Sequence, residues 1–262
     1  MLRWGLRNAW CRTRAGKLPG YGPCEYPSRT IAAWPRPSSL TTQVRMRLYF
    51  LLIGADHFHQ EITPALAESW RRRHFEPCGA LCQRIVSDWP TADFEPARLS
   101  LEQLLCSRIA QESVPFDRGL WRLLVGEVLL YSATEMPEIE TAPAALARLL
   151  DVAANEGPGS REHFHWIEQV HYGTRDLRFG DAFYRPEHAG INDTYDVMRL
   201  TNCLAQVQSE TWTPGQLAGL PDVLTDEDRA DELEYIREWF PALRGLYEQA
   251  GQREQVIICE TP

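Results

Sequence analysis

The sequence predicts an α+β fold: a helix-rich single domain around a small mixed sheet that contains strands at 47–53 and 255–260. Three observations predict it. The run Arg47-Leu48-Tyr49-Phe50-Leu51-Leu52-Ile53-Gly54 is short, apolar and closed by Gly, as in a strand covered on both faces. Gln255-Val256-Ile257-Ile258-Cys259-Glu260 has the same character at the other end. Between them, apolar residues recur mostly at helical spacing.

Residues 1–45 show neither periodicity. They carry eight Lys/Arg against the single acid Glu25, and are rich in Trp, Pro and Gly. They read as a disordered basic extension, with Met46 as an alternative true start because the first ordered-looking element follows it, against the competing reading of a targeting segment or basic arm. No h-region marks a secretory signal. Residues 46–262 form the expected domain. After the first strand, Thr63-Pro64 reads as N-cap and first helical position, Leu66 and Trp70 share a face, and Arg71, Arg72 and Arg73 suit the negative end of the helix.

A second helical piece follows Pro77 over 79–86, and Ser100 with Gln103 marks a capping box for another helix. The stretch 120–131 is so uniformly apolar that periodicity does not separate helix from strand. Pro143 opens a helix with Leu146, Leu149, Leu150 and Ala153 inward, which stops at Asn155-Glu156-Gly157-Pro158-Gly159. Ser160 caps the next, with Phe164, Ile167 and Val170 on one face. Asn192 or Asp193 caps a helix carrying Val197, Leu200, Leu204 and Val207. Thr213-Pro214 starts a short helix, and Thr225 with Asp228 a long one in which Pro241 predicts a kink or two abutting helices.

With 44% hydrophobic and 24% charged residues, the chain can bury a core. No window approaches 18 apolar residues, so no transmembrane helix is expected. The net charge is −9, and the positive first 45 residues leave −16 on the rest. An acidic body repels phosphates, so neither nucleic acid nor membrane is expected as a partner. Seven scattered cysteines fit a reducing compartment and a cytoplasmic protein.

Several segments of the last third occur in a recognisable succession: Val170-His171-Tyr172-Gly173, Phe179-Gly180, Tyr184-Arg185-Pro186-Glu187, Val197-Met198-Arg199-Leu200, Glu232-Leu233-Glu234-Tyr235, Trp239-Phe240, Leu243-Arg244, Tyr247 and Val256-Ile257-Ile258. This succession resembles the YfbM-like family of uncharacterised bacterial proteins. The chain departs from it by inserting 188–193 and by extra helices between 100 and 155. The resemblance implies a single α+β domain of unknown function and carries over no catalytic residue.

Four constellations carry potential chemistry. If the first strand continued, its period of two would place His57, His59 and Glu61 on one face, a set able to ligate zinc or iron; a polar loop is the competing reading. His163 and His165 lie about 200° apart on a helix, so with His171 they make no shared ligand set, and HExxH is absent. Cys78 and Cys82, at i, i+4, read as core. The loop 179–193 holds Arg175, Asp176, Arg178, Tyr184, Arg185, Glu187, His188, Asn192 and Asp193 in or beside it. Arginines beside a helix start could hold an anion, but Asp193 and Asp196 occupy that start, so Arg–carboxylate ties are expected.

No GxSxG, phosphate loop or dinucleotide fingerprint is present. The reading is therefore a non-catalytic binding or interaction module. Its working surface is the loop 184–193, with Tyr184, Arg185, Glu187, His188 and Asn192 facing an unidentified protein partner or small ligand. The alternative is a metal-assisted hydrolase using His57, His59 and Glu61 with a divalent metal and help from His171 or His188; otherwise no cofactor is expected.

Overall fold

The computed structural model describes residues 45–88, 115–153, 160–220 and 223–261, all within one compact unit, Leu40–Pro262. The basic extension apart from Arg45, the helix expected from Ser100 and the break at 155–159 fall outside the described residues.

The strands expected at both ends of the domain pair with each other. β1 (Met46–Gly54) and β7 (Gln255–Glu260) run antiparallel from Tyr49 opposite Glu260 to Gly54 opposite Gln255. β2 (Glu138–Thr141) flanks β1, and β6 (Ala189–Asn192) and then β3 (Arg175–Asp176) extend the other side. A separate hairpin pairs β4 (Arg178–Phe179) with β5 (Ala182–Phe183). Every described pairing is antiparallel, so the sheet expected to be mixed contains no parallel pair. One crossover helix returns a chain parallel, whereas the segment between β6 and β7 contains two α-helices, of 12 and 27 residues, and reverses it once more.

Seven α-helices occur among the described residues: α1 (Thr63–Arg72), α2 (Glu76–Asp88), α3 (Arg118–Ser132), α4 (Pro143–Ala153), α5 (Ser160–Tyr172), α6 (Thr194–Ala205) and α7 (Asp226–Gln252). Leu48, Phe50, Leu52, Ile257 and Cys259 share one sheet face and form a buried cluster with Leu146, Ile167, Leu200, Ile236 and Phe240 of α4 to α7. Leu51, Ile53, Val256 and Ile258 alternate to the other face and are buried too, where α3 meets β1. Burial on both faces explains why these strands read as unbroken apolar runs. Each such side chain contributes about 1.5–3 kcal/mol.

The ambiguous stretch 120–131 is α3, opened by Asp117, whose carboxylate accepts a bond from the Leu120 amide at 2.8 Å. Pro241 lies inside the continuous helix α7, so the expected pair of abutting helices is one helix. No described helix is long and apolar enough to cross a membrane.

Two expectations after β1 are corrected. Past Gly54 the chain forms neither the continued strand that would align His57, His59 and Glu61 nor the competing polar loop; it turns helical, and His57–Ile62 is a π-helix in which the Thr63 amide bonds the Phe58 carbonyl. Thr63 is not an N-cap, because Ile62 before it is already helical and no side-chain cap bond forms. Pro64 has no N–H to give and its ring crowds the preceding turn, and the wider π turn directly upstream fits that demand.

Among the described glycines, the closest backbone approach is where α5 meets β6. A Cβ on Gly190 would sit 1.8 Å from the Tyr172 carbonyl oxygen, whereas one on Gly54 would meet nothing within 4 Å. In urea denaturation, Gly190→Ala is expected to lower stability by about 4 kcal/mol or more, while Gly54→Ala stays within about 1 kcal/mol.

Candidate functional site

The loop 179–193 begins at the β4–β5 hairpin, turned by Gly180 at φ 64°. Phe179 is buried with its ring centroid 6.2 Å from those of Phe58 and of Trp121. The Tyr184 amide bonds the Leu177 carbonyl at 3.0 Å and its side chain is only 1% exposed. The chain then turns over the Arg185 carbonyl, which accepts from the His188 and Ala189 amides at 3.1 and 2.9 Å, with Glu187 in the left-handed region at φ 71°. The Arg185 guanidinium lies 3.7 Å from the Glu260 carboxylate and 3.4 Å from the Thr261 carbonyl oxygen. The His188 carbonyl accepts from the Thr261 amide at 2.8 Å, and its Nδ1 lies 3.1 Å from Thr261 Oγ1. The loop is a clasp on the end of β7.

Asn192, fully buried in β6, uses its whole hydrogen-bonding capacity. Its Oδ1 accepts from the Thr174 amide at 2.8 Å and the Thr174 hydroxyl at 2.6 Å; its Nδ2 donates to the Gln169 carbonyl at 2.9 Å and the Tyr247 hydroxyl at 2.8 Å. The Tyr247 hydroxyl donates in turn to the Val170 carbonyl at 2.7 Å. Gln169 and Val170 belong to the last turn of α5; the Gln169 carbonyl accepts from the Gly173 amide at 2.9 Å as well as from Asn192, and the Val170 carbonyl takes the Tyr247 hydroxyl, so Asn192 and Tyr247 together brace the end of that helix. Burial and the adjacent Cys259 hold the Tyr247 hydroxyl well above its ordinary pKa, and burial pushes the Cys259 thiol up to about 12.

The helix start following the loop is occupied by its own acids. Asp193 accepts from the Asp196 amide at 3.0 Å and the Asp196 carboxylate accepts from the Asp193 amide at 3.2 Å, a closed capping box. Arg175 pairs with Asp193 and lies 3.8 Å from Asp196, which Arg199 also approaches at 3.8 Å. Burial and the Asp193 charge raise the pKa of Asp196. Burial works the same way on Asp193, but the Asp196 amide and Arg175 outweigh it and bring the pKa down. An anion would meet these carboxylates first.

The five residues expected at a working surface therefore divide. Tyr184 and Asn192 are corrected to core residues, 1% and 0% exposed: Tyr184 follows β5 with its amide bound to the Leu177 carbonyl, and Asn192 ends β6, which is buried at every position. Arg185 and His188 tie the loop to Thr261 and its neighbour, and only Glu187 projects freely from the crest. The nearby outward groups missed in the sequence are on α6: Tyr195 is 67% and Met198 57% exposed. Their signal was available, since a helix whose inner face is Val197, Leu200 and Leu204 must turn Tyr195 and Met198 outward.

The π-helix rearranges the other candidate set. His57 Nδ1 lies 3.0 Å from Glu61 Oε2, and that same oxygen is 3.1 Å from the Arg84 guanidinium. His59 instead sets its ring edge-on to Phe58 at 5.2 Å. The premise that His57, His59 and Glu61 share a strand face fails, and no group of three or more His, Cys, Asp and Glu suited to a metal occurs among the described residues. The second nitrogen, His57 Nε2, lies 3.2 Å from Ser132 Oγ at the end of α3. No sequence signal links these two residues.

Cys78 and Cys82 are buried on α2, and burial raises Cys78 to about 11, an inert thiol. His163 and His165 lie where no side chains are described. His171 is fully buried, bonded through Nδ1 to the Ile167 carbonyl at 2.8 Å, with its ring edge-on to Trp239 at 6.2 Å. Burial lowers its pKa to about 4 from 6.5. Between those values the unfolded chain binds a proton that the folded one refuses, so stability is complete above pH 6.5 and is lost as pH falls toward 4. The loss is about 3 kcal/mol. Urea melts from pH 4 to 7 should show this slope, and His171→Leu should flatten it.

No family model, curated protein or solved structure matches this chain.

Proposed function

We propose that the chain is a binding or interaction module, a divergent relative of the YfbM-like family acting in the cytoplasm, and that α6 presents its contact face. The observation that carries this reading is the outward stripe of α6. Its exposed residues are Thr194, Tyr195, Met198, Asn202 and Ala205, none of them charged, on a protein of net charge −9. Solvated helix faces ordinarily carry Lys and Glu, whereas Tyr and Met are enriched and Lys and Glu depleted at the centres of protein interfaces. Phe183, 44% exposed at the end of the β4–β5 hairpin, is a further outward apolar group of the same stretch. The clasp of loop 184–193 on Thr261 supports the reading indirectly, since a rigid base lets a surface helix bind without being ordered first. The reduced Cys78, Cys82, Cys203 and Cys259 fit a reducing compartment.

The partner that suits this stripe is a protein with an apolar, uncharged complement. A photo-crosslinking phenylalanine analogue at Met198 should give a discrete protein adduct in cells, and the same group at Glu76 on α2 should not. Tyr195→Asp should lower the adduct yield at least tenfold by placing an unpaired charge in the contact. Absence of an adduct from position 198 would overturn the proposal, and an adduct of twice the chain mass would make the partner a second copy.

A further inference from the structure

We propose that Ser132, His57 and Glu61 form a nucleophilic relay that cleaves carboxylic esters through an acyl-serine. Three groups in hydrogen-bond sequence carry this inference. An ionised carboxylate only accepts, so the 3.0 Å contact of Glu61 Oε2 fixes the proton of neutral His57 on Nδ1. Nε2 then presents its lone pair to the Ser132 hydroxyl, 3.2 Å away. Acid, imidazole and hydroxyl are thus joined in the order that activates a serine, and such relays are recognised by geometry and not by chain order. The His57 and Glu61 side chains are about one-third exposed, at 34% and 36%, so the groups are open to substrate.

The arrangement is held from outside itself, which separates it from a chance surface contact. β1 positions both halves. His57 follows three residues after Gly54, the end of β1, and two residues beyond Ser132 the Thr134 amide bonds the Leu52 carbonyl of β1 at 2.9 Å. The Leu52 amide bonds the Glu135 carbonyl at 3.0 Å, and buried Gln255 of β7 donates to Thr134 Oγ1 at 2.7 Å. Arg84 holds Glu61 from α2. His57 and Glu61 are brought together by a π-helix, an uncommon conformation that recurs at functional sites.

In the first step the Ser132 Oγ–H proton passes to His57 Nε2 as Oγ bonds the ester carbonyl carbon. The carbon–alkoxide bond then breaks, and the alkoxide leaves with that proton as the alcohol. Water attacks the acyl-serine, gives a proton to Nε2, and the acid departs as Ser132 Oγ regains it. Ser132 is the nucleophile and His57 the base; Glu61 is a positioning residue.

A fluorophosphonate tests the nucleophile directly: Oγ bonds phosphorus, fluoride leaves, and the Oγ proton passes to His57. The intact chain should gain one adduct by mass, mapped to Ser132. Ser132→Ala, a change a helix tolerates, should gain none, and His57→Gln should label at least 100-fold more slowly. Hydrolysis of p-nitrophenyl acetate should fall to the buffer rate in Ser132→Ala. For Glu61, imidazole ¹⁵N spectra should show the Nδ1–H tautomer in the parent chain and its loss in Glu61→Leu, and the labelling rate of Ser132 should fall with it in Glu61→Leu and partly recover in Glu61→Asp, whereas a purely structural contact would leave that rate unchanged. No adduct on the parent chain, labelling that survives Ser132→Ala, or unchanged labelling in folded His57→Gln would each overturn the relay. These outcomes are independent of crosslinking at α6.

Discussion

The structure depends first on the antiparallel pairing of β1 with β7. These strands lie near opposite ends of the domain, and their pairing places Phe50 opposite Cys259 and Leu52 opposite Ile257 under α4 to α7, with Leu51 and Ile258 on the reverse face. Both strands are buried on both sides, so their backbone groups have no solvent to fall back on and must bond each other. Closing so long a loop is entropically costly. The apolar area gathered on two faces offsets that cost.

Around this pair, polar groups decide what stays rigid. Asn192 sits inside an apolar core with all four of its hydrogen-bonding valences used, and two of them brace the end of α5 through a carbonyl and through Tyr247. A buried amide satisfied in this way specifies one arrangement of β6, α5 and α7, because any other leaves an unpaired group that costs about 1–3 kcal/mol. Gly190 contributes sterically: the backbone of Tyr172 occupies the space a side chain would need. The clasp of Arg185 and His188 on Thr261 follows from the same geometry, since β6 and β7 are neighbours and the loop leads into β6.

Two surfaces remain that this framework holds but does not consume. One is the uncharged stripe of α6, the other the Glu61, His57 and Ser132 chain at the end of β1. The first needs only a helix with a fixed inner face. The second needs three elements, and β1 aligns them.

Much of the fold was legible in the sequence, because burial imposes period: 47–53 and 255–260 read as doubly covered strands, and Val197, Leu200 and Leu204 as the inner face of a helix. The capping box of Thr225 with Asp228 was readable, and the cap before Thr194 was narrowed to Asn192 or Asp193, of which Asp193 forms it, because local side-chain-to-amide bonds depend only on neighbours. The polar surface expected of Tyr184 and Asn192 was not what formed, since residue type alone does not say whether a buried amide will find four partners from α5, α7 and the 174 turn. Nor was a π-helix at 57–62 readable, because the difference between a strand's continuation and a wide helical turn rested on Pro64 and on how the chain leaves the sheet. What the sequence by itself determined is the set of elements and their buried faces, which follow from local hydrophobic spacing. Only the tertiary structure decided that Ser132 meets His57 and that Asn192 meets Tyr247, because contacts between distant segments depend on register and packing across the sheet, which no local pattern encodes.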